Sequence, residues 1–206
     1  MFAYVKDGSI VSMPNSNKGI QIGDLKYPKS IYTLWTEAER NAIGVYTIEI
    51  DETNKKDEEY YINTNITYAF GSGKVTGTYG TATARPHADT KWTQAQIDDP
   101  SLVGQAPEGA DTNTVRLEGL KTLKKNELDN QCASILAPSD WRVTKQEDTG
   151  DNMNSGWKTW RASVRTKCNS MQTQIDNAAD TAALQTLFTY TGDPATRPLG
   201  EFPIKE

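Results

Sequence analysis

The hydrophobic pattern of the chain changes from strand-like alternation in its first half to helical spacing in its second half. Residues 2–13 place Asp7-Gly8 between two short apolar runs, and Asp-Gly is typical of a two-residue hairpin turn. Residues 60–70 and 74–84 are rich in tyrosine, threonine and β-branched residues, and Gly71-Ser72-Gly73 separates them. The two patterns predict two β-hairpins.

Two capping boxes predict two short helices. Thr36 is followed three residues later by Glu39, so each side chain can bond to the backbone of the other. Gly44 is placed to end this helix, and the residues after it alternate as a strand. Thr93 and Gln96 repeat the pattern, again just after a tryptophan. The repeat reflects either a weak internal duplication or the same local chemistry used twice.

The second half predicts two long helices that pair as an antiparallel hairpin. The first runs over residues 114–136 and stops before Pro138; the second starts near Ser155 and follows a polar loop over residues 144–156. A short third helix covers residues 181–188. The apolar positions of the first helix are Leu117, Leu120, Leu123, Leu128, Cys132 and Ile135, and those of the second are Trp157, Trp160, Val164, Cys168, Met171 and Ile175.

These elements predict an α+β protein: a β-rich region of two hairpins with short helices, then a C-terminal antiparallel helical hairpin with a short third helix. The predicted divisions are a β-rich interaction domain over residues 1–97 and a linker over 98–113. A helical hairpin domain over residues 114–191 and an extended tail over 192–206 follow. The linker is assigned from its proline and glycine content, and the tail from its three prolines.

The composition and net charge of the chain limit the classes of binding partner that we expect. The net charge is −5 and the basic residues are scattered, so we expect neither nucleic acid nor a membrane surface as a partner.

No segment reaches the roughly 18–20 apolar residues that span a bilayer. Residues 1–11 lack the pattern of a signal peptide, so we expect synthesis in a cytoplasm. In that compartment Cys132 and Cys168 should be free buried thiols.

The candidate chemistry is sparse. His87 is the only histidine, Cys-x-x-Cys is absent, and the paired acids fall in caps and charge runs, so we expect no enzyme, metal or cofactor. Exposed tyrosines on the second hairpin are candidates for an interface or for stacking on sugars, and ordinary cross-strand packing is the alternative. These candidate interface residues are Tyr60, Tyr61, Tyr68 and Tyr79.

One segment resembles a pattern in bacteriophage tail proteins. Residues 136–145 read LAPSDWRVTK, and residues 160–165 read WRASVR. The resemblance is to chains in which a Leu-x-x-[Ser/Thr]-Asp-Trp turn ends a helix and a later helix carries Arg-x-x-[Val/Ile]-Arg. It covers residues 117–188, and more weakly residues 2–50. The chain departs from the pattern at Lys145, where that family has an arginine.

The resemblance implies a virion structural protein of the tail, made in the host cytoplasm. Its partners would be other tail proteins and copies of itself. The alternatives are a tail fibre assembly chaperone that leaves the particle and a module that binds a host-surface glycan. No catalytic residue is carried over. Physically, Asp140 would cap the turn and Trp141 would be buried between the long helices. The expected structural core is Trp141, Trp157, Trp160 and Val164.

Overall fold

The computed structural model describes residues 1–102 and 104–205 and has the predicted α+β class. Val103 of the predicted linker and Glu206 of the predicted tail lie outside the described residues. The chain divides into two units, Met1–Thr83 and Ala84–Glu206. The division therefore falls before the capping box at Thr93, whereas the sequence placed the end of the first domain at residue 97.

Unit 1 is a five-stranded sheet with two short helices. The strand order is β2-β1-β5-β8-β7, in which β5 and β8 run parallel and the other neighbours run antiparallel. Its elements in chain order are β1 (Phe2–Lys6), β2 (Ser9–Ser12), β3 (Ile20–Ile22), β4 (Leu25–Tyr27), α1 (Ile31–Leu34), α2 (Glu37–Ala42), β5 (Val45–Asp51), β6 (Tyr61–Ile62), β7 (Ile66–Gly71) and β8 (Lys74–Tyr79).

Both predicted hairpins are present as β1–β2 and β7–β8. Asp7 and Gly8 have φ of 51° and 76°, and Ser72 and Gly73 have φ of 51° and 76°, as a type I′ turn requires. The capping box of Thr36 and Glu39 is complete, with both reciprocal bonds formed. The predicted loop over residues 14–30 contains a third hairpin, β3–β4, whose three-residue strands were too short to show an alternation.

The sheet curls so that its two edge strands, β2 and β7, lie against each other. The enclosed face buries Ala3, Val5, Ile48 and Val75. The opposite face is covered by α1, whose Ile31 and Tyr32 pack with Val45 of β5. This closure limits the free edges that the two hairpins expose.

Unit 2 contains the long helices. Its elements are β9 (Thr83–Ala84), at the division of the two units, then β10 (Thr90–Lys91), α3 (Gln94–Ile97), β11 (Val115–Leu117), α4 (Leu120–Leu136), α5 (Asp140–Thr149), α6 (Ser155–Asn177) and α7 (Thr181–Phe188). Short 3₁₀ turns lie at Pro100–Leu102 and Ala137–Ser139. The second capping box, of Thr93 and Gln96, is complete and begins α3.

The two long helices pack antiparallel, as predicted. At one end, Lys121 and Lys125 at the start of α4 bond to the backbone and the carboxylate of Asp176 at the end of α6. At the other end, Arg161 of α6 bonds to Leu136 at the end of α4. The central part of α6 buries Val164, Cys168, Met171 and Ile175, and α7 covers the predicted residues 181–188.

Two of the predicted helical boundaries were wrong. The first helix begins at Leu120 rather than residue 114, because the preceding residues form β11 and pair with β10. Leu117 and Leu123 are exposed, and Lys124 takes a buried position, where its ammonium contacts Glu127 and the ring of Phe188. The polar stretch predicted as a loop over residues 144–156 instead contains most of α5, which ends at Gly150.

Candidate functional site: a tryptophan–arginine surface at the helix joint

The chain passes from α4 to α5 without an intervening loop. Ala137–Ser139 form a single 3₁₀ turn, and Pro138 fits there because the first turn of a helix has no use for its missing N–H. The hydroxyl of Ser139 donates to the carbonyl oxygen of Leu136 at 2.7 Å. Helix α5 then begins directly at Asp140. The Leu-x-x-Ser-Asp-Trp segment is thus a compact joint between two helices.

Arg161 of α6 holds this joint from the other side. Its buried guanidinium donates to the Leu136 carbonyl at 3.0 Å, to the Ser139 hydroxyl, and to the Asp140 carboxylate at 2.7 Å. A planar guanidinium can serve three acceptors that lie in different directions, which a lysine ammonium does less well. The two halves of the tail-protein pattern are therefore joined by one side chain.

Trp141 is not in the core, and its predicted burial between the long helices was wrong. Its side chain is 55% exposed. The physical reason is that Arg161 occupies the space between α4 and α6 at the joint. Because α5 starts at Asp140, the next residue is turned towards solvent. Of the other predicted core residues, Val164 is fully buried, and Trp157 and Trp160 are half-buried at the start of α6.

Arg142 lies between two tryptophan rings. Its guanidinium carbon is 4.5 Å from the centre of the Trp141 ring and 4.4 Å from that of Trp157. Trp157 meets Trp160 edge to face at 5.5 Å, and the Trp160 indole donates to the carbonyl oxygen of Pro203 at 3.0 Å. These cation–π and aromatic contacts pack the guanidinium and the rings against one another. We call Trp141, Arg142 and Trp157 the tryptophan–arginine surface.

A cleft of about 100 Å³ adjoins this surface. It forms because Gly150, with φ of 74°, ends α5 and turns the following residues back along the helix. The backbone amide of Met153 is held there by the side chain of Gln146 at 3.0 Å. The residues that line the cleft are Trp141, Arg142, Lys145, Asp151, Asn152, Met153 and Asn154.

The candidate interface tyrosines do not form an exposed surface. Tyr60 and Tyr61 are 3% and 6% exposed, so their predicted availability was wrong. The backbone amides of both residues donate to the carbonyl oxygen of Asp57. They therefore lie at a turn that comes before the arms of the second hairpin and not on those arms. Tyr68 and Tyr79 do lie on the second hairpin, where both are half-buried.

Local caps and turns explain the lowered pKa values of several acids. Hydrogen bonds from Thr36 lower the pKa of Glu39, and those from Thr53 and Ser101 lower the pKa values of Asp51 and Asp99. Among the described residues no group of three His, Cys, Asp or Glu side chains is arranged to hold a metal ion. None of the helices in this part of the chain is both long and apolar enough to span a bilayer.

The two cysteines are free and buried, and they occupy facing helices. Burial, reinforced by the neighbouring thiol of Cys132 and the carboxylate of Asp129, raises the pKa of the Cys168 thiol to about 12. The Cys168 thiol donates to that carboxylate at 3.6 Å. A thiol in this state is a poor nucleophile, because the reactive form is the thiolate.

The central roles of Arg142 and Arg161 were missed in the sequence. Arg161 carried a readable signal, because Arg161, Val164, Cys168, Met171 and Ile175 are spaced three, four, three and four, which is one helical face. A charged residue on a buried face indicates a polar joint. The chain matches no family model, no curated protein and no solved structure in the three comparisons made.

Proposed function

We propose that the chain is a structural protein of a bacteriophage tail, in a fibre, a fibre base or an adaptor. It acts by contact with other tail proteins and with copies of itself, rather than by catalysis. One observation carries the proposal. Asp140 and Arg161 belong to the two halves of the tail-protein resemblance, stand 21 positions apart, and meet at 2.7 Å. The two segments that carry the resemblance therefore meet in one three-dimensional joint, which supports the proposal.

The exposed ring of Trp141 supports the contact role. The joint is held by Leu136, Ser139, Asp140 and Arg161, so the tryptophan of the pattern is not needed to close it. Tryptophan and arginine are enriched at the energetic centres of protein interfaces. We infer that the contact surface lies at the start of α5 rather than on the tyrosine hairpin.

Mass spectrometry of purified particles tests the proposal. The chain should be recovered with the particles after washing, in several copies relative to a known capsid protein, while an abundant host protein is removed. Presence in infected cells together with absence from particles would contradict the structural role and favour the assembly chaperone. Saturable binding to a glycan array by the isolated chain would favour the host-recognition module instead.

A further inference from the structure

Arg142, which lines the cleft beside the tryptophan–arginine surface, has side-chain donors without an acceptor. Within the described chain, no side-chain nitrogen of Arg142 donates a hydrogen bond, and its buried Nε has no partner. A buried donor without an acceptor is destabilising. The guanidinium is held between two rings, so little conformational freedom remains for a ligand to remove.

Two asparagines add to this pattern. The side-chain oxygen of Asn152 accepts from the Lys158 ammonium at 3.3 Å, and that of Asn154 accepts from the Gly156 amide at 2.9 Å. Both amide oxygens are thereby engaged, while neither amide nitrogen donates a hydrogen bond to another described residue. Arg142 and the two asparagines thus supply side-chain donors to the lining of the cleft.

The charges of the cleft favour an anion, with one opposing group. Arg142 and Lys145 supply two positive charges one turn apart on α5. Among the described residues that line the cleft, Asp151 supplies the only carboxylate, and its Oδ2 lies 3.6 Å from the Lys145 ammonium at the exposed side of the cleft. It pairs with Lys145 alone and leaves Arg142 without an acceptor.

We propose that this cleft binds the side-chain carboxylate of an acidic residue on a partner protein, with Trp141 covering an apolar side chain next to it. Arginine recognises a carboxylate through two parallel hydrogen bonds. The adjacent asparagine amides can donate hydrogen bonds to the remaining lone pairs of that carboxylate. A free inorganic anion would make no use of the exposed tryptophan ring. The choice of a protein as the partner rests on the proposed contact function. The preference of the cleft for a carboxylate rests only on the side chains that line it.

Peptide binding to the full chain tests this assignment. The probes are acetyl-Glu-Leu-amide, the matched acetyl-Gln-Leu-amide, and sodium phosphate. Binding is followed by the indole N–H resonance of Trp141, which the Trp141→Phe variant identifies. The glutamate peptide should shift this resonance saturably and bind about tenfold or more tightly than the glutamine peptide, as expected for a charge-assisted pair. Equal affinity for the two peptides would overturn the proposal.

Three variants complete the test, each checked for folding by circular dichroism. Arg142→Gln should weaken binding of the glutamate peptide about tenfold, and Asp151→Asn should tighten it a few-fold because the competing carboxylate is removed. Arg165→Gln, an exposed arginine of α6, should change nothing. An Asp151→Asn variant that binds no more tightly, or phosphate that displaces the peptide at equal concentration, would contradict the assignment. Absence of the chain from particles would refute the tail role but would leave these results standing.

Discussion

Replacing Arg161 with methionine tests the helix joint most directly. Methionine has similar length and high helix propensity, so the change removes the donors and the charge while it keeps most of the volume. Two buried acceptors then lose a charged donor, the Leu136 carbonyl and the Ser139 hydroxyl. The Asp140 side chain is 59% exposed and stays hydrated, so its ion pair contributes little, at most about 1 kcal/mol.

The expected loss of stability follows from these contacts. Each hydrogen bond from a charged donor contributes roughly 1.5–3 kcal/mol. The variant also no longer buries a guanidinium, which offsets part of that loss. The Leu136 carbonyl retains the bond from Ser139 at 2.7 Å, so it is not left bare. We therefore expect the Arg161→Met variant to lose about 2–4 kcal/mol in the free energy of unfolding.

Urea unfolding followed by far-ultraviolet circular dichroism measures this loss. With a denaturant dependence of about 2 kcal/mol per molar urea, the midpoint should fall by about 1–2 M. Arg165→Met is the matched control, one turn further along α6 at an exposed position, and its midpoint should stay within a few tenths of a molar. Equal midpoints for the Arg161 and Arg165 variants would refute the joint as a source of stability.

Three other predictions concern the sheet, the thiols and acid stability. Gly77→Ala should cost about 1–3 kcal/mol, because its Cβ would lie 2.8 Å from the Tyr68 ring. The Cys168 thiol should resist alkylation at pH 8 in the native protein and react on unfolding, since its pKa is raised to about 12. Hydrogen bonds from the Gly119 amide and the Thr122 side chain lower the pKa of Asp89 in the folded chain. The stability that the Asp89 carboxylate adds to the folded chain should be present above the unfolded pKa of about 3.9. It should disappear as the pH falls through the pKa that Asp89 has in the folded chain.

Each of these has a control and a contradicting outcome. Gly71→Ala places a Cβ with no atom within 4 Å, so it should be close to neutral, and an equal loss in both glycine variants would contradict the steric argument. Alkylation of the native Cys168 as fast as that of the denatured chain would contradict burial of the thiol. For Asp89→Ala, a difference in stability from the unsubstituted chain that persists unchanged below about pH 3 would contradict the carboxylate's role.

Features governed by a few neighbouring residues could be predicted from the sequence. The Asp7-Gly8 turn, the capping boxes at Thr36 and Thr93, the start of α6 and the bounds of α7 follow from contacts within one turn or one hairpin. Such contacts need no partner elsewhere in the chain, so their residue types are informative on their own. The α+β class follows from the same local patterns.

Contacts between distant segments decided the rest. The parallel pairing of β5 with β8 links the two hairpins into one curled sheet, and no local pattern specifies it. The pairing of β10 with β11 shortened α4 and exchanged Leu123 for Lys124 in its buried face.

At the candidate site, the sequence by itself indicated that a Ser-Asp-Trp turn would follow the first long helix and that Trp141 would lie at this turn. Only the tertiary structure decided that Arg161 fills the joint while Trp141 faces solvent. The reason is competition for one buried space. A tryptophan ring and a guanidinium could each occupy the joint on grounds of local sequence. The guanidinium does so because three oxygen acceptors, brought together only by the packing of α6 against the end of α4, satisfy its donors.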